Sequence, residues 1–216
     1  MLKTKQEEKR RDKIITALFI IITLATFISL IRAFIIGSKA VFDSLMILIL
    51  LYLTYNYREK LNLKITTTFL GVIFLLGHLL GVNGFYDFYI FGFLGYDKLL
   101  HFYGPLVLFF IIFNFFQYSF EYYKLKEKNK TKTNFNFKII IITLLVTLGI
   151  NALQEVIEFT GNSVLGNGEG VFFYGSGDLE GNDTPKDLVA NFLGATLGGL
   201  ILLIKNYKLY KKSKNK

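Results

Sequence analysis

Six apolar stretches, 14–36, 40–55, 65–82, 99–120, 139–157 and 188–204, limit what this chain can fold into more than any other feature. A hydrocarbon layer about 30 Å thick is crossed by roughly 20 helical residues. Inside it no water meets a bare N–H or C=O, so a spanning segment must satisfy its own backbone, as a helix does. The whole chain, 52% hydrophobic and 17% aromatic with a mean hydropathy of +0.44, is too apolar for a water-soluble domain of 216 residues. The expectation is therefore an all-α polytopic membrane helix bundle of six transmembrane helices, forming a single domain over 1–216.

Charge sets the orientation. Of the 25 Lys and Arg residues, 21 fall in 1–13, 55–64, 119–138 and 205–216, and these four segments share one side only if there are six spans. Because short loops rich in Lys and Arg stay on the cytoplasmic side, both termini are expected in the cytoplasm, with 1–13 and 205–216 as basic cytoplasmic tails in the cell membrane. The net charge of +9 is then topological, and anionic lipid headgroups are the partners it suits. Nucleic acid is not expected, since the basic runs lack an aromatic stacking platform. The absence of cysteine excludes disulfides and thiolate ligands, and with only two histidines any metal ligands must be mostly oxygens. At 23 residues the first apolar stretch exceeds a signal-peptide core and reads as an uncleaved anchor.

The opposite, outer face differs in kind. Residues 85–96 carry seven aromatics with Gly92 and Gly95 and read as an interfacial or re-entrant segment. Residues 160–186 hold seven glycines and read as a long irregular outer loop, a candidate lid.

Alternation of helix direction brings scattered polar residues to that face. Asp97 falls in the first turn of the fourth span, with His101 four residues on along the same side, and Pro105 deprives the His101 carbonyl of its helical donor. Glu155 and Glu158 share one side of the fifth span at its expected C-terminal end, with Asn151 one turn below. Two carboxylates facing the negative end of a helix in low dielectric need a compensating metal, proton or cation, for which Lys98, Lys186 and Arg32 are candidates. Arg32 otherwise pairs with Asp43 across the first hairpin. The sixth span opens with Asp183-Thr184-Pro185-Lys186-Asp187, a capping sequence. Capping does not account for Asn191 one turn further in, on the stripe above Gly194-x-x-x-Gly198, a face for close helix packing. His78, flanked by Gly77 and Gly81, reads as a packed, hydrogen-bonded histidine at the depth of His101.

The segment Asp97-Lys98-x-x-His101-Phe102, the pair Glu155-x-x-Glu158, and Asp183 to Asp187 with Asn191, Gly194, Ala195 and Gly198 resemble the YjdF-type bacterial inner-membrane proteins, and through them the VanZ-like membrane family. The resemblance covers about half the chain. It implies a multi-pass membrane protein without a settled activity, VanZ-like members being associated with glycopeptide resistance. A basic residue usual in that family before the helix-six aspartate is lacking here, since 161–182 contains no Lys or Arg.

Three functions compete. The first is action on, or binding of, a lipid or lipid-linked envelope precursor at a site where Glu155, Glu158, His101 and Asp187 do the chemistry. A divalent metal (Mg, Mn or Zn) would be drawn from Asp97, His101, Glu155, Glu158, Asp183 and Asp187, supported by His78, Lys98, Asn151 and Asn191. No G-x-S-x-G, H-E-x-x-H or P-loop is present to name a reaction. The second is a non-catalytic membrane component whose polar cluster holds the bundle together. The third is a cation- or proton-coupled transporter, disfavoured by a site away from the midplane and the lack of internal repeats.

Overall fold

The computed structural model describes residues 2–38, 40–58, 63, 65–86, 88–90, 94–126, 137–165 and 183–214, and of these the side chains except those of 2–11, 94, 121–126, 162–165, 183 and 208–214. Most of the expected Gly-rich loop therefore lies outside the described residues, as do most side chains of the expected basic tails. Six helices carry the fold: α1 (Leu2–Ile36), α2 (Ala40–Tyr57), α3 (Ile65–Leu80), α4 (Tyr96–Lys126), α5 (Phe137–Leu165) and α6 (Asp183–Lys214). Each, α3 together with the turn that prolongs it to Phe85, provides a stretch long and apolar enough to cross a membrane, the shortest being Ala40–Tyr57 with 18 residues. The chain is thus a polytopic membrane helix bundle.

The turns follow from local chemistry. Gly37, at φ +68°, ends α1 in a Schellman motif: the Ser38 N–H reaches the Ala33 carbonyl (2.8 Å) and the Gly37 N–H that of Phe34 (3.3 Å). Ser38 Oγ then accepts from the Ala40 N–H (3.2 Å), capping α2. At its far end α3 widens into a π-type turn, Gly81–Phe85, closed by Gly84 at φ +108°. The expected interfacial segment follows as a small antiparallel hairpin, β1 (Tyr89–Ile90) paired with β2 (Leu94–Gly95). Phe85, Phe88 and Tyr89 on it are exposed, as aromatic side chains at a headgroup layer would be.

Packing divides the bundle into two three-helix groups. Ile15, Phe19, Ile22, Ile47, Leu51, Val72, Leu75 and Leu79 form the core of α1–α3. Phe109, Phe113, Ile139, Ile140 and Leu202 form that of α4–α6. The α3–α4 contact joins the groups, with a neutral hydrogen bond from Asn114 Nδ2 to Thr67 Oγ1 (3.1 Å) well inside it. At the other end of this contact the Tyr96 hydroxyl donates to the Gly77 carbonyl (2.9 Å), tying the start of α4 to the end of α3. Arg32 does not pair with Asp43: its guanidinium donates to Asn83 Oδ1 (3.5 Å), because that face of α1 turns toward the end of α3, where Ser29 meets the same amide.

α4 and α6 approach each other closely. A Cβ built on Gly194 would overlap the Phe102 carbonyl oxygen, and one on Gly198 would crowd the Phe109 ring at 2.9 Å. These small residues therefore set how near the starts of the two helices lie. Gly194→Ala should cost about 1–3 kcal/mol, the range for forced overpacking. Gly149→Ala, with nothing within 4 Å of the added Cβ, should leave the melting temperature unchanged or slightly higher. Thermal melts in one detergent, read by fluorescence size exclusion, compare the two.

Candidate functional site

The site is assembled from helix ends that run in alternating directions. Asp97, Lys98 and His101 lie in the first two turns of α4, Asp187 and Asn191 in the first turns of α6, and Glu155 and Glu158 in the last third of α5. One expectation is corrected here. α5 does not end near Ile157 but continues to Leu165, so neither carboxylate sits at the helix terminus. Hydropathy falls where side chains become polar, whereas the helix persists as long as its backbone stays bonded.

His101, 7% exposed, is the hub. Its Nδ1 faces Glu155 Oε1 at 3.2 Å, and its Nε2 faces Asp97 Oδ1 at 3.4 Å and Asp187 Oδ1 at 3.8 Å. Lys98 Nζ bridges the two aspartates, 3.0 Å from Asp97 Oδ2 and 2.7 Å from Asp187 Oδ1. On the other side Asn191 Nδ2 donates to Glu155 Oε1 (3.1 Å) and Gln154 Nε2 to Glu158 Oε1 (2.9 Å). Asp187, Asn191, Glu155 and Glu158 are all at most 6% exposed. The sequence expectation of convergence is met by Asp97, His101, Glu155, Glu158, Asp187 and Asn191; the Asp183 side chain lies outside the described residues.

The carboxylates divide into two sets around one imidazole. Asp97, His101 and Asp187 form one group, and His101, Glu155 and Glu158 the other, each offering ligand atoms within 4.8 Å of one another. Lys98 neutralises charge only in the first. A neutral imidazole carries one N–H and donates to one side only, so its other nitrogen presents a lone pair to a carboxylate oxygen. That contact needs a proton or a metal cation between the two atoms.

The remaining candidates take quieter roles. His78 Nδ1 meets the Tyr86 hydroxyl at 2.8 Å and its ring packs edge-on against Phe74, apart from either carboxylate group. Asn151 Nδ2 turns back to the Thr147 carbonyl (2.7 Å), continuing a buried ladder in which Thr147 bonds Thr143 and Thr143 bonds Ile139. Asp187 acts across the bundle on Lys98, beyond the capping role its sequence position suggests. Gln154 was missed by sequence reasoning, although its place four residues before Glu158 on one helical stripe could have found it.

The chain matches the family described as "Predicted membrane protein (DUF2238)" over residues 14–208. It belongs to that family. No curated protein and no solved structure matches it. Membership accords with the six membrane-length helices and assigns no reaction.

Removing Lys98 leaves Asp97 and Asp187 adjacent in a largely dehydrated site. Lys98→Met should therefore destabilise the protein by about 3 kcal/mol, as expected when one partner of a buried pair is deleted. Adding Asp187→Asn to that variant should recover part of the loss. Melting temperatures of both variants check this, and a Lys98→Met protein as stable as the parent would contradict it.

Proposed function

We propose that this membrane protein binds a divalent cation through His101, Glu155 and Glu158 and uses it to bind or act on a lipid or lipid-linked envelope precursor at the outer face. The observation that carries the reading is His101 held between Asp97 and Glu155. With Nε2–H donated to Asp97, the tautomer is set and Nδ1 is the free ligand atom; such a carboxylate–imidazole pair is the usual outer support of a metal-bound histidine. The separation of 3.2 Å from Nδ1 to Glu155 Oε1 suits two ligands of one ion, since atoms about 2.0–2.2 Å from a metal lie about 3.0–3.5 Å apart along an edge of its shell. Two glutamates also match a divalent charge, while Lys98 attends to the aspartates. An imidazole among the ligands favours Zn or Mn over Mg, which prefers oxygens throughout. A cation there would polarise an acyl oxygen and activate water. Gln154 and Asn191 would orient the two glutamates.

The likeness to VanZ-like proteins supports an envelope setting. The charge distribution of the chain supports placing the site on the side away from the cytoplasm. A second reading, a structural clamp in which a protonated His101 ties α4 to α5 and α6, is favoured by the close Gly194–Phe102 approach.

Two measurements test the proposal. Elemental analysis of protein purified without chelator should find close to one Zn or Mn per chain, reduced to background in Glu155→Gln and in His101→Ala while both variants remain folded. Metal-free parent protein, or variants that lose fold and metal together, would favour the clamp. Because the chain has no cysteine, Lys186→Cys and Lys205→Cys each introduce a single thiol. In intact cells an impermeant maleimide should label the first, and the second only after permeabilisation.

A further inference from the structure

Beneath the polar cluster a cavity of about 250 Å³ enters the bundle between the two three-helix groups. His101, Gln154 and Asn191 stand at its polar end, and its walls are mainly apolar, including Phe74, Leu108 and Ile150. On α4 the lining runs from Leu100 to Ile111, about 16 Å at 1.5 Å per residue. A second cavity, of about 340 Å³, shares Leu50, Thr54 and Ile111 with the first and continues along α2 to Tyr57. Most of the wall comes from α3 and α4, flanked by α2 on one side and α5 on the other, and among the described residues α2–α5 is not one of the closely packed helix pairs. Ile150, 43% exposed, stands at this lateral edge, where the surrounding medium is bilayer.

We infer that this crevice is a slot for one hydrocarbon chain of a membrane lipid, entered sideways between α2 and α5, whose head group carries a hydroxyl or ammonium donor and lies against Asn191. The chain is argued from the walls: a largely apolar furrow that is open toward the bilayer and polar at one end fits an amphiphile lying along the helices. The donor is argued from Asn191. Its Nδ2 is used on Glu155, whereas its Oδ1 is buried, beside the cavity, and has no hydrogen-bonding partner among the described residues. A ligand O–H or N–H supplies what that acceptor lacks. Four carboxylates around one lysine also disfavour an anionic head. The inference rests on the proposed site only for where the head group lies.

Gly71 provides the test, because the nearest atom to a Cβ added there is Val107 Cγ1 at 4.0 Å and the position lines the slot. The full chain in lipid nanodiscs is exposed to hexadecanol, hexadecylamine and hexadecyl phosphate, each with a mid-chain diazirine, then irradiated and mapped by mass spectrometry. The alcohol or the amine should label slot residues such as Leu108 and Ile150, with Gly71→Ala labelled like the parent. Gly71→Phe and Ile150→Trp, which obstruct the slot from different helices, should each bring that labelling to background. Labelling spread over lipid-facing residues such as Ile28 and Phe34, and indifferent to both substitutions, would overturn the slot. Strongest labelling by the phosphate would overturn the head-group assignment. Labelling that persists in metal-free Glu158→Gln supports the slot whatever becomes of the cation, and metal retained without slot-confined labelling sinks the slot alone.

Discussion

The cost of placing ionisable groups among six apolar helices governs the structure. A charge in hydrocarbon is penalised by several kcal/mol or more, and evasion takes few forms: exposure at the interface, pairing, or a bound ion. Asp97, Lys98, His101, Glu155, Glu158 and Asp187 lie near the ends of their spans and face inward, largely shielded from both lipid and water. Keeping them together demands that α4 and α6 start almost in contact. Gly194 against the Phe102 carbonyl makes that approach feasible, so one missing side chain underwrites the geometry of the charged cluster.

Much of this was legible in the sequence because the membrane removes alternatives. Six apolar stretches gave six helices, since no other local structure satisfies a backbone without water. Helix parity then placed Asp97, His101, Glu155, Glu158, Asp187 and Asn191 at one end, and they meet there. The boundaries were less legible. Capping residues did place Asp97 in the first turn of α4 and Asp183 at the start of α6, but α5 runs to Leu165, beyond its apolar stretch, because hydropathy reports the solvent of side chains and not the hydrogen bonding of the backbone. Nor could spacing reveal which carboxylate faces which imidazole nitrogen, or that Arg32 turns to Asn83, since both depend on helix rotation.

Separation into two three-helix groups has its own consequence. Each group closes a core of Ile, Leu, Val and Phe, and among the described residues the main contact between the groups is that of α3 with α4. Two convex groups that touch mainly along one pair of helices leave furrows beside the contact. On the side flanked by α2 and α5 that furrow meets the charged cluster, and Pro105 lines it at the turn where the His101 carbonyl has lost its helical donor. Polar chemistry and apolar space are therefore neighbours as a result of how the helices are grouped.

A purely cohesive role does not explain the composition of the cluster. Where the bundle only needs α3 held to α4, it uses the neutral pair Asn114–Thr67, which carries no desolvated charge. At the α4–α5–α6 end it instead sets four carboxylates against one lysine and one histidine. Buried ion pairs are seldom more stabilising than well-packed apolar residues of similar size, and an excess of one sign is worse. With His101 protonated and all four carboxylates ionised the cluster would carry two negative charges more than positive ones, so a clamp built from its own side chains has to retain protons to be balanced. A divalent ion held by Glu155, Glu158 and a neutral His101 would offset the two glutamates, leaving Lys98 with the aspartates, which is why the excess of glutamate over cation weighs toward a ligand site.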